Sequence, residues 1–310
     1  MSKVLRAIVA AGLLAGALLT ATGLIAYWRT ALDVVNNGLP FLAAGLLALV
    51  ALAWATGRRP LIGGAVILFA INLALLLTAL PGAAPRAPEG AERFLRVATF
   101  NLWGRNDHPD NLEAFLAETD ADAVVLEEVR ERHKNLLAAL AKHYPYQAGD
   151  YGLVILSKHP ILADGRIDRA GQPQRMSLII RWATLDVDGT QVGLAGIHLA
   201  RPFYPAFEAA DIARLTQFVK DRPGPLILAG DFNMTPWTWK MRGLTRATGL
   251  KRYNTFLPTW PMRWRSLPLL PLLPIDNVFA SPHFSAIATD VGPRLDSDHR
   301  PVIADIALSE

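Results

Sequence analysis

Eight residues of this chain combine the right side chains with a suggestive placement: Asn101, Glu128, His198, Asp231, Asn233, Asp276, Asp298 and His299. Each stands at the edge of a short β-rich run. Asn101 follows Thr99-Phe100, and Glu128 closes Val124–Glu127. His198 ends the run Val192–Ile197, and Asp231 and Asn233 follow Leu226–Gly230. Asp276 opens Asn277–Phe279, and Asp298 and His299 precede Pro301-Val302-Ile303. Any one alone is ordinarily a turn residue, a helix cap or a satisfied histidine, and Glu127-Glu128 also reads as a helix N-terminus. Strand ends on one edge of a sheet converge in space, so the set reads as one pocket. Carboxylates with amides form a hard oxygen site suited to Mg²⁺ or Mn²⁺. Histidines beside carboxylates are held in one tautomer and tuned for proton transfer. A metal that neutralises phosphate oxygens, with a positioned water, is what phosphoester hydrolysis requires.

Other chemistries lack their parts. The chain has no cysteine, which removes thiol nucleophiles, disulfides and Cys-based zinc sites. There is no Gly-x-Ser-x-Gly elbow, and Ser297 is too close to His299 to serve it as a nucleophile. No phosphate-cradling Gly-Lys-Ser/Thr loop occurs.

The elements that must carry these residues begin near Phe94. β-rich runs are expected at Leu95–Phe100, Ala123–Glu127, Leu153–Leu156, Leu178–Leu185, Gln191–His198, Leu226–Ala229, Asp276–Phe279 and Val302–Ile306. Helical periodicity covers Asn111–Glu118, Glu131–Ala141 and Pro205–Val219, and Asp188-Gly189 marks a tight hairpin. Strands mixed with helices predict a layered α/β domain, its sheets covered by helices, over residues 94–310.

Upstream the composition changes. Ala7–Trp28, Leu39–Thr56 and Pro60–Leu80 are apolar runs near the ~20 residues that cross a bilayer. Three transmembrane helices are therefore expected in a membrane domain at 1–82, with membrane lipids as partners. A Pro/Gly/Ala linker at 83–93 follows as a short tether. A cleaved signal peptide is the competing reading of the first run, opposed by its length and the two spans that follow; a buried helical core is that of all three, opposed by their charge-free length. Lys3 and Arg6 precede the first span, and Arg58 and Arg59 separate the second and third. Arg29, on the other side, is balanced by Asp33. The positive-inside rule then puts the N-terminus in the cytoplasm and the C-terminal domain on the extracytoplasmic, periplasmic side of the cell (inner) membrane. The formal charge of +4 arises in this leader: residues 89–310 carry 25 basic and 26 acidic side chains. Attraction to a polyanion must therefore be local.

The motifs resemble those of the endonuclease/exonuclease/phosphatase (DNase I-like) superfamily, of membrane-anchored bacterial type. Thr99-Phe100-Asn101 resembles the opening motif, and Val125-Leu126-Glu127-Glu128-Val129 the Gln-Glu-Val motif. Gly152 to Pro160 resembles the Leu-Ser-Arg-x-Pro segment, Ile197-His198-Leu199 Thr-His-Leu, and Ile275-Asp276-Asn277-Val278-Phe279 Ile-Asp-x-Ile-Phe. Gly230-Asp231-Phe232-Asn233 and Ser297-Asp298-His299-Arg300-Pro301 match in full. The resemblance implies a β-sandwich covered by helices and a Mg²⁺- or Mn²⁺-dependent hydrolase of phosphoester bonds. It implies Glu128, Asp298 and Asn101 on the metal, and Asp276 orienting His299. Asp231 with Asn233 would hold water, and His198 would contact phosphate, with either Asp231 or His299 as the base. Glu127 departs from the usual Gln, Ile197 from Thr, and Trp103 stands where an acid or amide is common.

Between Asp231 and Asp276 there is no acid. Lys240, Arg242, Arg246, Lys251, Arg252, Arg263 and Arg265 alternate there with Trp237, Trp239, Tyr253, Trp260 and Trp264. This segment is expected near the mouth of the site, where it suits a nucleic-acid strand, an anionic lipid or simply a solvated basic surface with packed tryptophans. An apolar stretch, Leu267–Pro274, follows it. The substrate is accordingly a nucleic acid, a lipid or a small phosphoester; a non-catalytic membrane scaffold is the third reading, opposed by the full polar set.

Overall fold

The computed structural model describes residues 3–106, 111–169, 178–254, 256–264 and 267–309. Arg265, within the basic segment, and Ser266, next to it, lie outside them. The chain forms two compact units: Met1–Pro81 with Thr235–Gly243, and Gly82–Met234 with Leu244–Glu310.

The first unit holds helices α1 (Lys3–Ile25), α2 (Leu39–Thr56) and α3 (Arg59–Leu77), with a 3-10 segment at Thr30–Gly38. All three helices are long and apolar enough to cross a membrane. α1 and α3 begin and end earlier than the expected Ala7–Trp28 and Pro60–Leu80, because hydropathy bounds a span rather than a helix. Pro60 sits in the first turn of α3, where it lacks no needed donor. Gly57 closes α2 at φ 66°, which a Cβ would oppose. Outward positions such as Leu14, Leu18, Leu47, Trp54 and Ile67 are exposed apolar residues. Inside, Asn72 Nδ2 donates to Thr20 Oγ1 at 2.8 Å and to Leu68 O at 2.8 Å. A polar pair of this kind ties two apolar helices together.

The second unit is a pair of six-stranded sheets. Its strands are β1 (Leu95–Asn101), β2 (Ala123–Val129), β3 (Tyr146–Ala148), β4 (Gly152–Ser157), β5 (Ile161–Asp168), β6 (Leu178–Val187) and β7 (Thr190–His198). They continue with β8 (Leu226–Asp231), β9 (Lys251–Arg252), β10 (Arg263–Trp264), β11 (Leu267–Pro268), β12 (Asp276–Ala280), β13 (Phe284–Val291) and β14 (Val302–Leu308). One sheet runs β13-β14-β1-β2-β4-β3 and the other β5-β6-β7-β8-β12-β9; β10 and β11 form a small ribbon. Helices α4 (Asn111–Thr119), α5 (Lys134–Leu140) and α6 (Pro205–Lys220) cover the strands, and α7 (Trp239–Thr248) follows β8. β1 and β2, and β7 and β8, pair in parallel, each pair joined by a crossover that contains a helix, α4 or α6. The layered α/β fold read from the sequence is therefore present, as two sheets.

Side-chain alternation decides what lies between the sheets. Leu95 and Val97, Ala123 and Val125, Val192 and Leu194, Ile227 and Ala229, and Val278 and Ala280 share one buried cluster. The opposite parity, with Ala98, Phe100, Val124 and Leu126, joins Leu112 and Leu116 of α4 and Leu136, Leu137 and Leu140 of α5 in a second cluster. Asp188 and Gly189, at φ 51° and 85°, make the expected hairpin turn.

The stretch expected as a tether is bonded at its start. Ala84 N donates to Arg252 O at 2.7 Å, Ala286 N to Pro85 O at 2.8 Å and Ala87 N to Ala286 O at 2.8 Å. It thus completes hydrogen bonds of β9 and β13, which would otherwise present open edges.

Candidate active site

The inter-sheet parity continues past the apolar core to one end of the sandwich and there becomes polar. On β1 and β2 it reaches Thr99, Asn101 and Glu127; on β7, β8 and β12 it reaches His198, Asp231 and Asp276. The register sets Asn101 opposite Glu127, and Asp231 between His198 and Asp276. The same alternation that buries Val and Leu therefore assembles these six polar residues without any special loop.

Two backbone devices bring in Glu128 and Asn233, and the turn before β14 brings in Asp298 and His299. The β2–β4 register shifts between Leu126 and Val129, and Glu128 has φ 57°. This bulge lets Glu127 stay between the sheets and turns Glu128 out of the strand's alternation. Gly230 has φ 147°, and a Cβ there would lie 2.0 Å from Ile197 O, so only glycine admits the turn into Asp231. Asn233, also left-handed at φ 53°, folds back: its N–H donates to Asp231 Oδ1 at 2.8 Å, and its Nδ2 to Asp231 Oδ2 at 3.2 Å and Leu199 O at 3.0 Å.

Asp231 also accepts from Asn101 Nδ2 at 3.2 Å. Asn101 Oδ1 in turn accepts from Trp103 N at 3.0 Å, and Ser297 Oγ donates to Asn101 O at 2.6 Å. His299 Nδ1 lies 2.9 and 3.0 Å from the two oxygens of Asp276, which fixes the ring's orientation and turns Nε2 toward Asp231 Oδ2 and Asp298 Oδ1, each 3.9 Å away. His198 Nε2 is likewise 3.9 Å from Asp231 Oδ2. Glu128 Oε2 accepts from Gly104 N at 2.8 Å.

The electrostatics follow from burial against charge. Burial pushes the Asp231 carboxyl up to about 6, against the pull of His299 and His198. Burial would lower His299, but Asp276, Asp231 and Asp298 outweigh it and hold the imidazole at about 10. Burial raises Asp298, and the Glu128 charge adds to this. Glu128 is also desolvated, yet His198, the Gly104 amide, His299 and Arg201 bring it below the usual carboxylate range.

All eight residues singled out in the sequence gather at this end. They fall into two groups. Asp231, Asp276 and His299 are buried and bonded to one another or to Asn101 and Asn233. Glu128, Asp298 and His198 line a cleft of about 670 Å³ with Trp103, Arg105, Arg130, Arg169, Arg201, Tyr204 and Phe207. Glu128 and Asp298 fit a divalent cation: two carboxylates face one cleft, and the charge of Glu128 raises the cost of charging Asp298. Ligand atoms of Asp231, Asp276 and His299 also come within 4.8 Å of one another and could hold an ion. The Nδ1–carboxylate bonds favour a His–Asp pair there, since that nitrogen's proton points at Asp276.

The motifs did not single out several contributors. Asn254 Nδ2 donates to Asp276 O at 2.7 Å, and its Oδ1 accepts from Val278 N at 2.9 Å, holding the mouth of β12. Asp211 clasps Arg169 through both oxygens and accepts from Ala200 N at 2.9 Å, which fixes the turn after His198. Arg201 lies 3.8 Å from Glu128. Nothing in the local sequence of Asn254 or Asp211 marks them, because their partners are distant in sequence: backbone groups of β12 for Asn254, the Arg169 side chain and the Ala200 amide for Asp211.

The basic, tryptophan-rich segment is corrected. Trp237, Lys240, Arg242, Arg252 and Tyr253 are buried, so the segment is no continuous binding strip. Within it, Arg263 reaches the rim, its guanidinium 4.8 Å from the centre of the Trp103 ring. The cations that line the cleft are Arg105, Arg130, Arg169 and Arg201.

Comparison with known proteins agrees with this geometry. No curated protein matches the chain. Among solved structures, an endonuclease/exonuclease/phosphatase from Bacteroides vulgatus is similar over 69% of this chain and 99% of its own, at 20% identity and TM-score 0.57. TDP2 of D. rerio, complexed with a single-strand DNA product, aligns over 68% and 98% at 18% identity and TM-score 0.59. Sphingomyelinase C from Streptomyces griseocarneus aligns over 68% and 98% at 20% identity and TM-score 0.54. The model of the Endonuclease/Exonuclease/phosphatase family matches residues 98–299, a span that runs from β1 to His299 and contains every residue of the site, and the chain belongs to that family.

Proposed function

We propose that the chain is a divalent-metal-dependent hydrolase of phosphoester bonds, held in a membrane with its cleft on the extracytoplasmic face. The observation that carries the chemistry is the convergence of Asp231, the Asp276–His299 pair and His198 behind a cleft with two facing carboxylates. Glu128 and Asp298, with Asn101, would hold Mg²⁺ or Mn²⁺, which when bound neutralises charge on the phosphoryl oxygens. Asp231 is the base. Its oxygens are aimed by Asn101 and Asn233, and it accepts a proton as a water oxygen bonds to phosphorus and the ester oxygen leaves. His299, surrounded by Asp276, Asp231 and Asp298, stays an imidazolium and donates from Nε2 to a phosphoryl oxygen. His198 stabilises a second oxygen from the other side of Asp231.

The cleft arginines Arg105, Arg130 and Arg201, beside the Asp211-paired Arg169, support a substrate with anionic character beyond the scissile group. A nucleic acid fits that charge. A phospholipid is the second reading, favoured by exposed Leu267, Leu270 and Leu272 beside the small ribbon and by three helices able to cross a bilayer. The orientation rests on the basic residues that flank the spans.

The test is a panel of DNA, RNA, phospholipid vesicles and mono- and diester reporters, given to the full chain in detergent with Mg²⁺, Mn²⁺ or EDTA. Metal-dependent turnover of at least one phosphoester is expected, and its loss in Asp231→Ala. Full activity of Asp231→Ala would sink the scheme.

A further inference from the structure

Asp33 is the lone acid among the first 88 residues, and it is buried in the unit that holds the spans. Its charge reads in the sequence as a balance for Arg29. The structure gives it another use. Oδ1 accepts from Trp239 N at 3.1 Å and Oδ2 from Lys240 N at 2.9 Å, so both oxygens seize the first turn of α7. Asn36 Nδ2 donates to Asp33 Oδ1 at 2.7 Å and to Gly23 O at 3.1 Å, which ties the carboxylate to the end of α1. The neighbouring Asn37 holds the same segment earlier. Its Oδ1 accepts from Thr235 N at 2.9 Å, and its carbonyl accepts from Trp237 Nε1 at 3.1 Å. Trp239 Nε1 donates to Gly23 O at 2.8 Å, and Trp237 packs on Leu39 and Ala79.

The held segment, Thr235–Gly243, belongs to the compact unit of the spans. Its first residue is two positions beyond Asn233, whose N–H and Nδ2 aim the Asp231 carboxylate. Chain continuity therefore transmits the clamp to the site. A loop between two apolar helices needs no buried carboxylate and two buried asparagines for its own sake; burying them is costly unless they are bonded. Here the Asp33 oxygens and Asn37 Oδ1 accept from backbone N–H groups that follow the Asp231 turn, and Asn36 steadies the carboxylate by donating to it.

We propose that Asp33, supported by Asn37, is a positioning residue for the reaction, so that full catalytic competence depends on the folded 30–38 segment and not on the second unit alone. The proposal rests on the reading of Asp231 and Asn233 given above.

The experiment uses the full chain in detergent, a bis(p-nitrophenyl) phosphate reporter with Mn²⁺, and hydrogen exchange of the peptide covering 230–240. Asp33→Ala is expected to lower kcat about tenfold and leave KM within about twofold, because the reacting groups lose aim while the cleft that binds substrate stays intact. Asp33→Asn should fall between it and the natural chain, since a carboxamide oxygen replaces one of two acceptors. The amides of Phe232 and Asn233 should exchange faster in Asp33→Ala. If Asp33→Ala does not elute as a folded species, Asn37→Ala carries the same test, with a smaller kcat loss at unchanged KM. Folded variants with kcat within twofold of the natural chain, or with unchanged exchange at Phe232 and Asn233, overturn the clamp. Faster exchange in the variant, together with a natural chain inactive on every reporter, would uphold the clamp and retire the phosphoesterase reading instead.

Discussion

Glu127 shows how one residue tunes the site from behind. It is fully buried, accepts from Thr99 Oγ1 at 2.5 Å through Oε1, and its Oε2 has no hydrogen-bond partner among the described residues. Burial, with Asp276 and Asp231 nearby, raises its pKa well above the ordinary value, so the folded chain holds the proton that the unfolded chain releases. The sign is fixed by linkage: its contribution to stability is full below the unfolded pKa near 4.5 and is lost as pH rises through the folded value. Glu127→Gln should therefore raise the melting temperature at pH 8 and change it little at pH 4, measured in EDTA by scanning calorimetry; equal shifts at both would contradict a neutral Glu127. At Asp231, replacement by Asn keeps the size but removes the proton acceptor, and kcat should drop by about 10²–10⁴ with the fold retained. Gly230→Ala should be worse for stability, by ~3 kcal/mol or more in urea denaturation, because a Cβ would strike Ile197 O. The reacting residues were legible because they sit in short contiguous motifs at strand ends. Asp33 was not, because its partners are backbone amides some 200 positions away and its own neighbourhood reads as a loop between spans.

Elements differ in how openly the sequence announces them. The eight expected strands are all present, and those that alternate into the inter-sheet cluster were the plainest. β5 and β13 passed unread: their exposed or half-buried residues, such as Leu162, Ala163 and Asp164, carry no sharp apolar alternation. α7 was hidden for the opposite reason, since its Trp, Lys and Arg residues read as a binding surface and are largely packed. Residues 84–87 lacked any strand signal, with prolines and alanines, yet they bond along β9 and β13. At roughly 0.5–1.5 kcal/mol per hydrogen bond, these contacts are a sizeable share of a domain's margin. A fragment beginning at Gly82 should accordingly melt several degrees above one beginning at Gly90. Equal melting temperatures would mean that this pairing adds nothing.

At the level of the whole molecule, three helices fit to span a bilayer share a unit with a nine-residue excursion from the hydrolase sequence. The protein should sediment with membranes, resist extraction by high salt and alkali, and dissolve in detergent. Release by salt alone would remove the spanning reading. EDTA should abolish turnover in either detergent or bilayer, with recovery on Mn²⁺ or Mg²⁺. The three apolar runs were visible at once; that their unit borrows Thr235–Gly243 was not, since hydropathy describes segments and not their partners.

The bonds from Asp33 to Lys240 and from Asn37 to Thr235 join residues 207 and 198 positions apart. On a ribosome, the helices would be written and inserted long before the stretch that completes their unit is made. The clamp can close only after most of the chain has emerged, and contacts so distant in sequence are slow to form. If Asp33 tunes the site as proposed, the nascent enzyme stays poorly active until Thr235–Gly243 has joined the unit of the first helices. The order of synthesis itself then acts as a safeguard, delaying phosphoester cleavage until the protein is seated where it belongs.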